Sequence, residues 1–167
     1  AGLVVPPSIR GGGQELGRRG GSENVSGIVG FGIAAELSAS ELAQGVTLAD
    51  KRDRMEADLR AATPDIRVFG ADVARLPNTS CFGLGGLHGE TVVMSLDLAD
   101  IAVSAGAACS SGKVSRSHVL DAMGVKHDVS IGAIRVSLGR DTNDAAIGRL
   151  VENWLKLAAK LEHAAAQ

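Results

Sequence analysis

The sequence predicts an α/β layer fold, a mixed sheet packed against helices, on three observations. Runs with strand-like alternation, IRVF (66–69), TSCFGLGG (79–86) and AIRVSLG (133–139), are interleaved with runs of helical spacing such as GETVVMSLDLAD (89–100). Apolar residues make up 45% of a chain of 167, enough for one compact core. No repeat or long low-complexity run points to a solenoid or an array instead. The order of the strands cannot be read from these residues.

The first residues, AGLVV, read as a short strand ended by Pro6 and Pro7, and a start without Met is what a piece of a larger protein would show. The run is too short to span a bilayer and has no charged segment before it, so no export signal is visible. Next comes GGGQELGRRGGSENVSG (11–27), with seven glycines in seventeen residues around Arg18 and Arg19, feeding the apolar run IVGFGIAAEL (28–37). This is a glycine loop that opens into a helix, with Ser22 or Asn24 placed to cap it. Ser38-x-x-Glu41 and Thr47-x-x-Asp50 offer later capping-box starts, and the second opens the charged helix LADKRDRMEADLRAA (48–62) ahead of Pro64.

After the strand pair and the helix at 89–100 comes IAVSAGAACSSGKV (101–114), an arm of small residues carrying Cys109. SHVLDAMG (117–124) is a short helix closed by Gly124. In AIRVSLG, Ile134, Val136 and Leu138 share one face, and alternation turns Arg135 and Ser137 to the other. The last helix carries Ile147, Leu150, Val151, Trp154, Leu155 and Leu161 at helical spacing, with Thr142 or Asn143 as its cap.

Composition removes several functions. A net charge of −2 with 2% aromatics gives neither the basic stripe nor the stacking residues that nucleic acid or an anionic membrane calls for. Cys81 and Cys109 belong to no C-x-x-C pair, and His88, His118, His127 and His163 show no metal spacing, so no metal site is expected. A reducing, cytoplasmic setting fits this cysteine usage. The glycine loop lacks the G-K-[ST] ending of a P-loop. Taken singly, Arg135 reads first as a solvated or salt-bridged strand residue and only second as a fork for a carboxylate, while Cys109 reads equally as a structural thiol or a nucleophile.

In combination and in this order, GGGQELGRRGGSENVSGIVGFG, RLPNTSCF, GETVVMSLDLADIAVSAGAACSSGKVSRSHVLDAMG and AIRVSLGRDTN resemble the C-terminal part of the pyridoxal-phosphate (PLP) cysteine desulfurases of the class V aminotransferase superfamily. The form is the one with a long mobile loop and Ser-Ser-Gly after the cysteine. The resemblance implies the α+β small domain of a PLP-transferase of fold type I. Residues 1–24 would end the large domain and hold the phosphate and dimer loop; residues 25–167 would be a helix linker and the C-terminal small domain.

It further implies that Cys109 is the nucleophile that takes sulfur from L-cysteine, leaving L-alanine and a Cys109 persulfide. A thiol with a pKa of about 8.5 is only slightly ionised at neutral pH, yet it is intrinsically nucleophilic, and Lys113 favours its charge. Arg135 matches the arginine that forks the substrate carboxylate. Ser22 stands where the family usually has Thr, whose hydroxyl binds the PLP phosphate of the partner subunit in a homodimer. Cys81 occupies a position often held by Asn and is given no role. The persulfide sulfur would pass to an iron-sulfur scaffold or another acceptor protein.

The lysine that holds PLP lies, in the family, upstream of the strand that AGLVV resembles. Lys51, Lys113, Lys126, Lys156 and Lys160 all fall in other contexts, so the chain alone is expected to be inactive. A selenocysteine lyase or another class V relative, and a sulfur-relay module without PLP, are the alternatives.

Overall fold

The structure, a computed structural model, describes residues 6–42, 44–105 and 117–165. It divides into two compact units, Ala1–Ala43 and Gln44–Gln167.

The first unit is the glycine loop and helix α1 (Val25–Glu41). The loop closes where the Gly20 N–H donates to the Ile9 carbonyl at 2.8 Å. Glycine is required at that neck, because a Cβ on Gly20 would lie 2.7 Å from the Gly11 Cα. Between the two sides of the neck, a 3-10 turn (Gln14–Gly17) carries Glu15 and Leu16 at φ 53° and 56°, left-handed values that cost L-residues of this kind roughly 1–2 kcal/mol each. The cap of α1 is Asn24, whose Oδ1 accepts from Gly27 N at 3.1 Å; of the two capping residues the sequence offered, Ser22 is not used. Ser38 lies inside α1 and is not a new start.

The second unit opens with α2 (Gln44–Ala62). Thr47 sits within it, because the helix starts three residues ahead of the expected capping box. Its inward face, Arg52, Met55, Glu56 and Leu59, recurs at three- and four-residue spacing. There follow β1 (Arg67–Val68), β2 (Thr79–Gly83), α3 (Gly89–Asp97), β3 (Ser104–Ala105), α4 (His118–Ala122), α5 (His127–Ile131), β4 (Ile134–Ser137) and α6 (Asp144–Ala165). Asn143 caps α6 through Ala146 N at 2.9 Å, while Thr142 Oγ1 accepts from Gly139 N instead. Gly124, at φ 71°, closes α4 as its position predicts.

The strands form one sheet in the order β1-β2-β4-β3, and the pairing expected to be mixed is antiparallel in every described pair. Its register pairs Phe82 with Ile134 and Ser80 with Val136 on one face, and Cys81 with Arg135 and Thr79 with Ser137 on the other. The first face meets α2, α3 and α6 in a core of Met55, Leu59, Phe82, Leu96, Ile134 and Trp154. Trp154 stands edge-on to Phe82 with ring centroids 5.0 Å apart, as the stripe on the last helix requires. The second face is only partly covered, by a smaller cluster of Phe69, Leu120, Val125, Val129 and Ala133 that Cys81 packs against. Two elements have no counterpart in the sequence reading. Strand β3 has two residues, and α5 has five, both too short to show a period.

No single described helix is long and apolar enough to cross a membrane.

Candidate functional site

Strand β4 lies inside the sheet, paired on one side with β2 and on the other with β3, so whatever side chain it turns away from the core stands near the middle of the open face. That residue is Arg135. Its neighbours there are Cys81 on β2 and Ser104 on β3, its register partners on either side. Arg135 is exposed and forms no salt bridge among the described residues. A guanidinium in the middle of a sheet with no carboxylate partner keeps its planar donor fork free for an external one.

Arg135 borders a cavity of about 330 Å³ lined also by Phe69, Cys81, Ser117, Leu120 and Met123. The lining is apolar apart from this one cation, the thiol and the Ser117 hydroxyl, a combination that orients a small ligand by its charged end. Burial pushes the Cys81 thiol up, against the opposing pull of the Arg135 charge. Cys81 therefore stays neutral at neutral pH and does not neutralise Arg135.

Cys109 and Lys113 lie outside the described residues. On either side of their segment one described residue, Ser104 before it and Ser117 after it, lies by Arg135. Ser104 pairs with Arg135 and Ala105 with Ile134 on one side, and Ser117 lines the cavity on the other. Ser117 also caps α4, its hydroxyl accepting from Leu120 N at 3.3 Å, which fixes that side of the segment to a helix.

Ser22 belongs to the first unit, Arg135 to the second. Ser22 is exposed, two residues ahead of the Asn24 cap of α1, and its carbonyl accepts a hydrogen bond from Arg19 Nη1. A free hydroxyl, a guanidinium folded against the same residue and the positive end of a seventeen-residue helix make a donor set that suits a phosphate, the anionic group of PLP. No described lysine lines the Arg135 cavity. Lys51 donates to the Thr142 carbonyl at 2.6 Å, and Lys156 pairs with Glu152 at 2.8 Å.

The residue that sequence reasoning left without a place is Cys81. Alternation in TSCFG puts it opposite Phe82, but only the β2–β4 register sets it beside Arg135.

The fold that carries Arg135 is similar to that of solved NifS-like proteins. It superposes on the X-ray structure of a NifS-like protein from Rickettsia africae with a TM-score of 0.82 at 30% identity, covering 94% of this chain and 41% of that one. A second solved NifS-like protein gives 0.80, also at 30%. The chain belongs to the aminotransferase class-V family, whose profile matches residues 8–150. Among curated proteins it is 48% identical over 151 residues to a cysteine desulfurase of Cereibacter sphaeroides and 42% identical over 161 residues to one of Nostoc sp.. Those matches take in 90% and 96% of this chain but 38% and 40% of the relatives, so the chain spans about two-fifths of their length.

Proposed function

We propose that this chain is the substrate-carboxylate and sulfur-carrying part of a cysteine desulfurase, active when joined to the remainder of that enzyme. The observation that carries the reading is Arg135, unpaired on an inner strand and flanked by the described residues on both sides of the Cys109 segment. Arg135 holds the carboxylate of L-cysteine through a bidentate fork, which orients the rest of the substrate. The Cys109 thiolate attacks the substrate sulfur; the new S–S bond forms as the Cβ–S bond breaks, leaving alanine and a Cys109 persulfide. PLP, when bound, supplies the electron sink that lets the Cβ–S bond break. Ser22, with Arg19 and the start of α1, holds its phosphate, in a homodimer that of the partner subunit. The persulfide sulfur then moves to an acceptor protein serving iron-sulfur assembly or thiolation.

Two results test this. In the assembled enzyme, Arg135→Ala should raise the KM for cysteine by roughly 10- to 150-fold, the equivalent of about 1.5–3 kcal/mol for a lost charged hydrogen bond, and Arg135→Lys should recover it only in part. Steady-state kinetics with unchanged KM in both variants would return Arg135 to the role of a solvated strand residue. The chain by itself should form no alanine from cysteine and give no saturable absorbance change with PLP, since none of its described lysines reaches the cavity. Turnover by the isolated chain would show that one of its own lysines holds the cofactor.

A further inference from the structure

Among the described residues nothing charged except Arg135 lines the cavity of about 330 Å³ on the open face of the sheet. Its other two polar side chains are already accounted for: the Ser117 hydroxyl accepts from Leu120 N at the start of α4, and the Cys81 thiol is neutral. The rest of the wall is hydrocarbon and thioether. Phe69 is fixed over the sheet by its N–H, which donates to the Cys81 carbonyl at 2.8 Å, and Leu120 and Met123 follow one turn apart from α4. Leu120 is buried, while Met123 is 53% exposed at the rim. All of these residues belong to the second unit, so the shape of the cavity is set within it.

Such a lining distinguishes between kinds of carboxylate. A guanidinium with no acid beside it takes an anion, and a ligand's hydrocarbon leaves water when an apolar wall lies within reach of that fork. An amino acid meets the first condition but brings an ammonium group, and no acidic or amide side chain among the described residues lines the cavity to receive it. An acid without the ammonium carries no such cost, and methylenes added to it run along Phe69, Leu120 and Met123. A volume of about 330 Å³ is more than a carboxylate fills and lies in the range of small-molecule sites. We propose that this cavity is a binding site for apolar monocarboxylates, straight-chain acids such as hexanoate, with the carboxylate on Arg135 and the chain against Phe69, Leu120 and Met123. In the assembled enzyme such an acid competes with L-cysteine for Arg135. The inference shares with the proposed function only the reading of Arg135 as a carboxylate fork.

The chain itself is titrated with acetate, butyrate and hexanoate, and ligand-observed NMR reports each Kd. The Kd should fall roughly two- to fourfold per methylene, as for a largely buried CH₂, and so by roughly tenfold or more from acetate to hexanoate. L-norleucine, the same carbon chain with an ammonium group, should bind about tenfold more weakly than hexanoate. Arg135→Ala should weaken hexanoate by roughly tenfold or more, as a lost charged hydrogen bond requires. Met123→Gln should cut the preference for hexanoate over acetate about threefold, with the melting of the second unit, followed by Trp154 fluorescence, where it was. A Kd that ignores chain length, hexanoate binding that survives Arg135→Ala, norleucine as tight as hexanoate, or a preference untouched by Met123→Gln would overturn the proposal. Its failure and that of the proposed function are separable. Hexanoate bound as expected, with the KM for cysteine unchanged by Arg135→Ala in the assembled enzyme, leaves the acid site standing and removes the substrate reading; a raised KM without hexanoate binding does the reverse.

Discussion

Replacing Cys109 by serine in the assembled enzyme is expected to abolish alanine formation and protein-bound persulfide while leaving PLP binding unchanged. A hydroxyl at that position is not ionised near neutral pH and cannot form the S–S bond, so the loss should be complete rather than partial. The chain has one other thiol, and the structure gives a reason to set it aside. Cys81 is held neutral by burial despite the neighbouring Arg135 charge, whereas attack on sulfur needs the thiolate. Cys81→Ser should therefore keep its activity, although it lies beside Arg135 in the register. Mass spectrometry of the enzyme after one turnover would locate the extra sulfur. A persulfide on Cys81, or sulfide release by Cys109→Ser at near the original rate, would remove Cys109 from the reaction.

Much of the second unit was legible because burial writes a period into the sequence. Ile147, Leu150 and Trp154 fall on one side of α6, and Ile134 and Val136 on one side of β4, so the helix stripe and the outward turn of Arg135 follow from spacing alone. Register is another matter. Nothing in RLPNTSCF or AIRVSLG says that Cys81 faces Arg135, since pairing is fixed by contacts between segments more than fifty residues apart. The elements that went unseen, β3 with two residues and α5 with five, are too short to repeat a period. The start of α2 was misplaced because Thr47 carries the signature of a cap, and the packing of the helix on the sheet overrides it. In α1 the apolar run was legible as a helix, while the choice of Asn24 over Ser22 as its cap is made by the fold. Of the candidate site, the residue types could be named from the motifs; the free state of Arg135 required the absence of a carboxylate around it, which is a property of the fold.

Glu56→Ala should destabilise the second unit by about 3–5 kcal/mol, the cost of breaking a buried ion pair from one side. Glu56 is 2% exposed on the inward face of α2, and burial by itself would raise the pKa of its carboxyl. Three hydrogen bonds outweigh that. Arg75 donates from Nη1 and Nη2 at 2.6 and 2.7 Å, a bidentate pair, and Ser80 Oγ donates at 2.6 Å from β2, so the carboxyl ends below the ordinary range. The cluster ties α2 to β2 and to the segment between β1 and β2, where Arg52 adds a bond to the Leu76 carbonyl at 2.7 Å. Removing Glu56 leaves the Arg75 guanidinium with only Asp53, at 3.8 Å, among the described residues and strands the Ser80 hydroxyl in the core. The pH dependence follows in sign. Because the folded pKa lies below the unfolded value of about 4.3, the contribution is fully present above that value and is lost as pH falls through the folded one. Thermal melts read by Trp154 fluorescence should therefore be flat through neutral pH and drop in acid, and Glu56→Gln should start lower and lose part of that acid slope. A Glu56→Ala protein within about 0.5 kcal/mol of the original would show that α2 is held to the sheet by its apolar contacts alone.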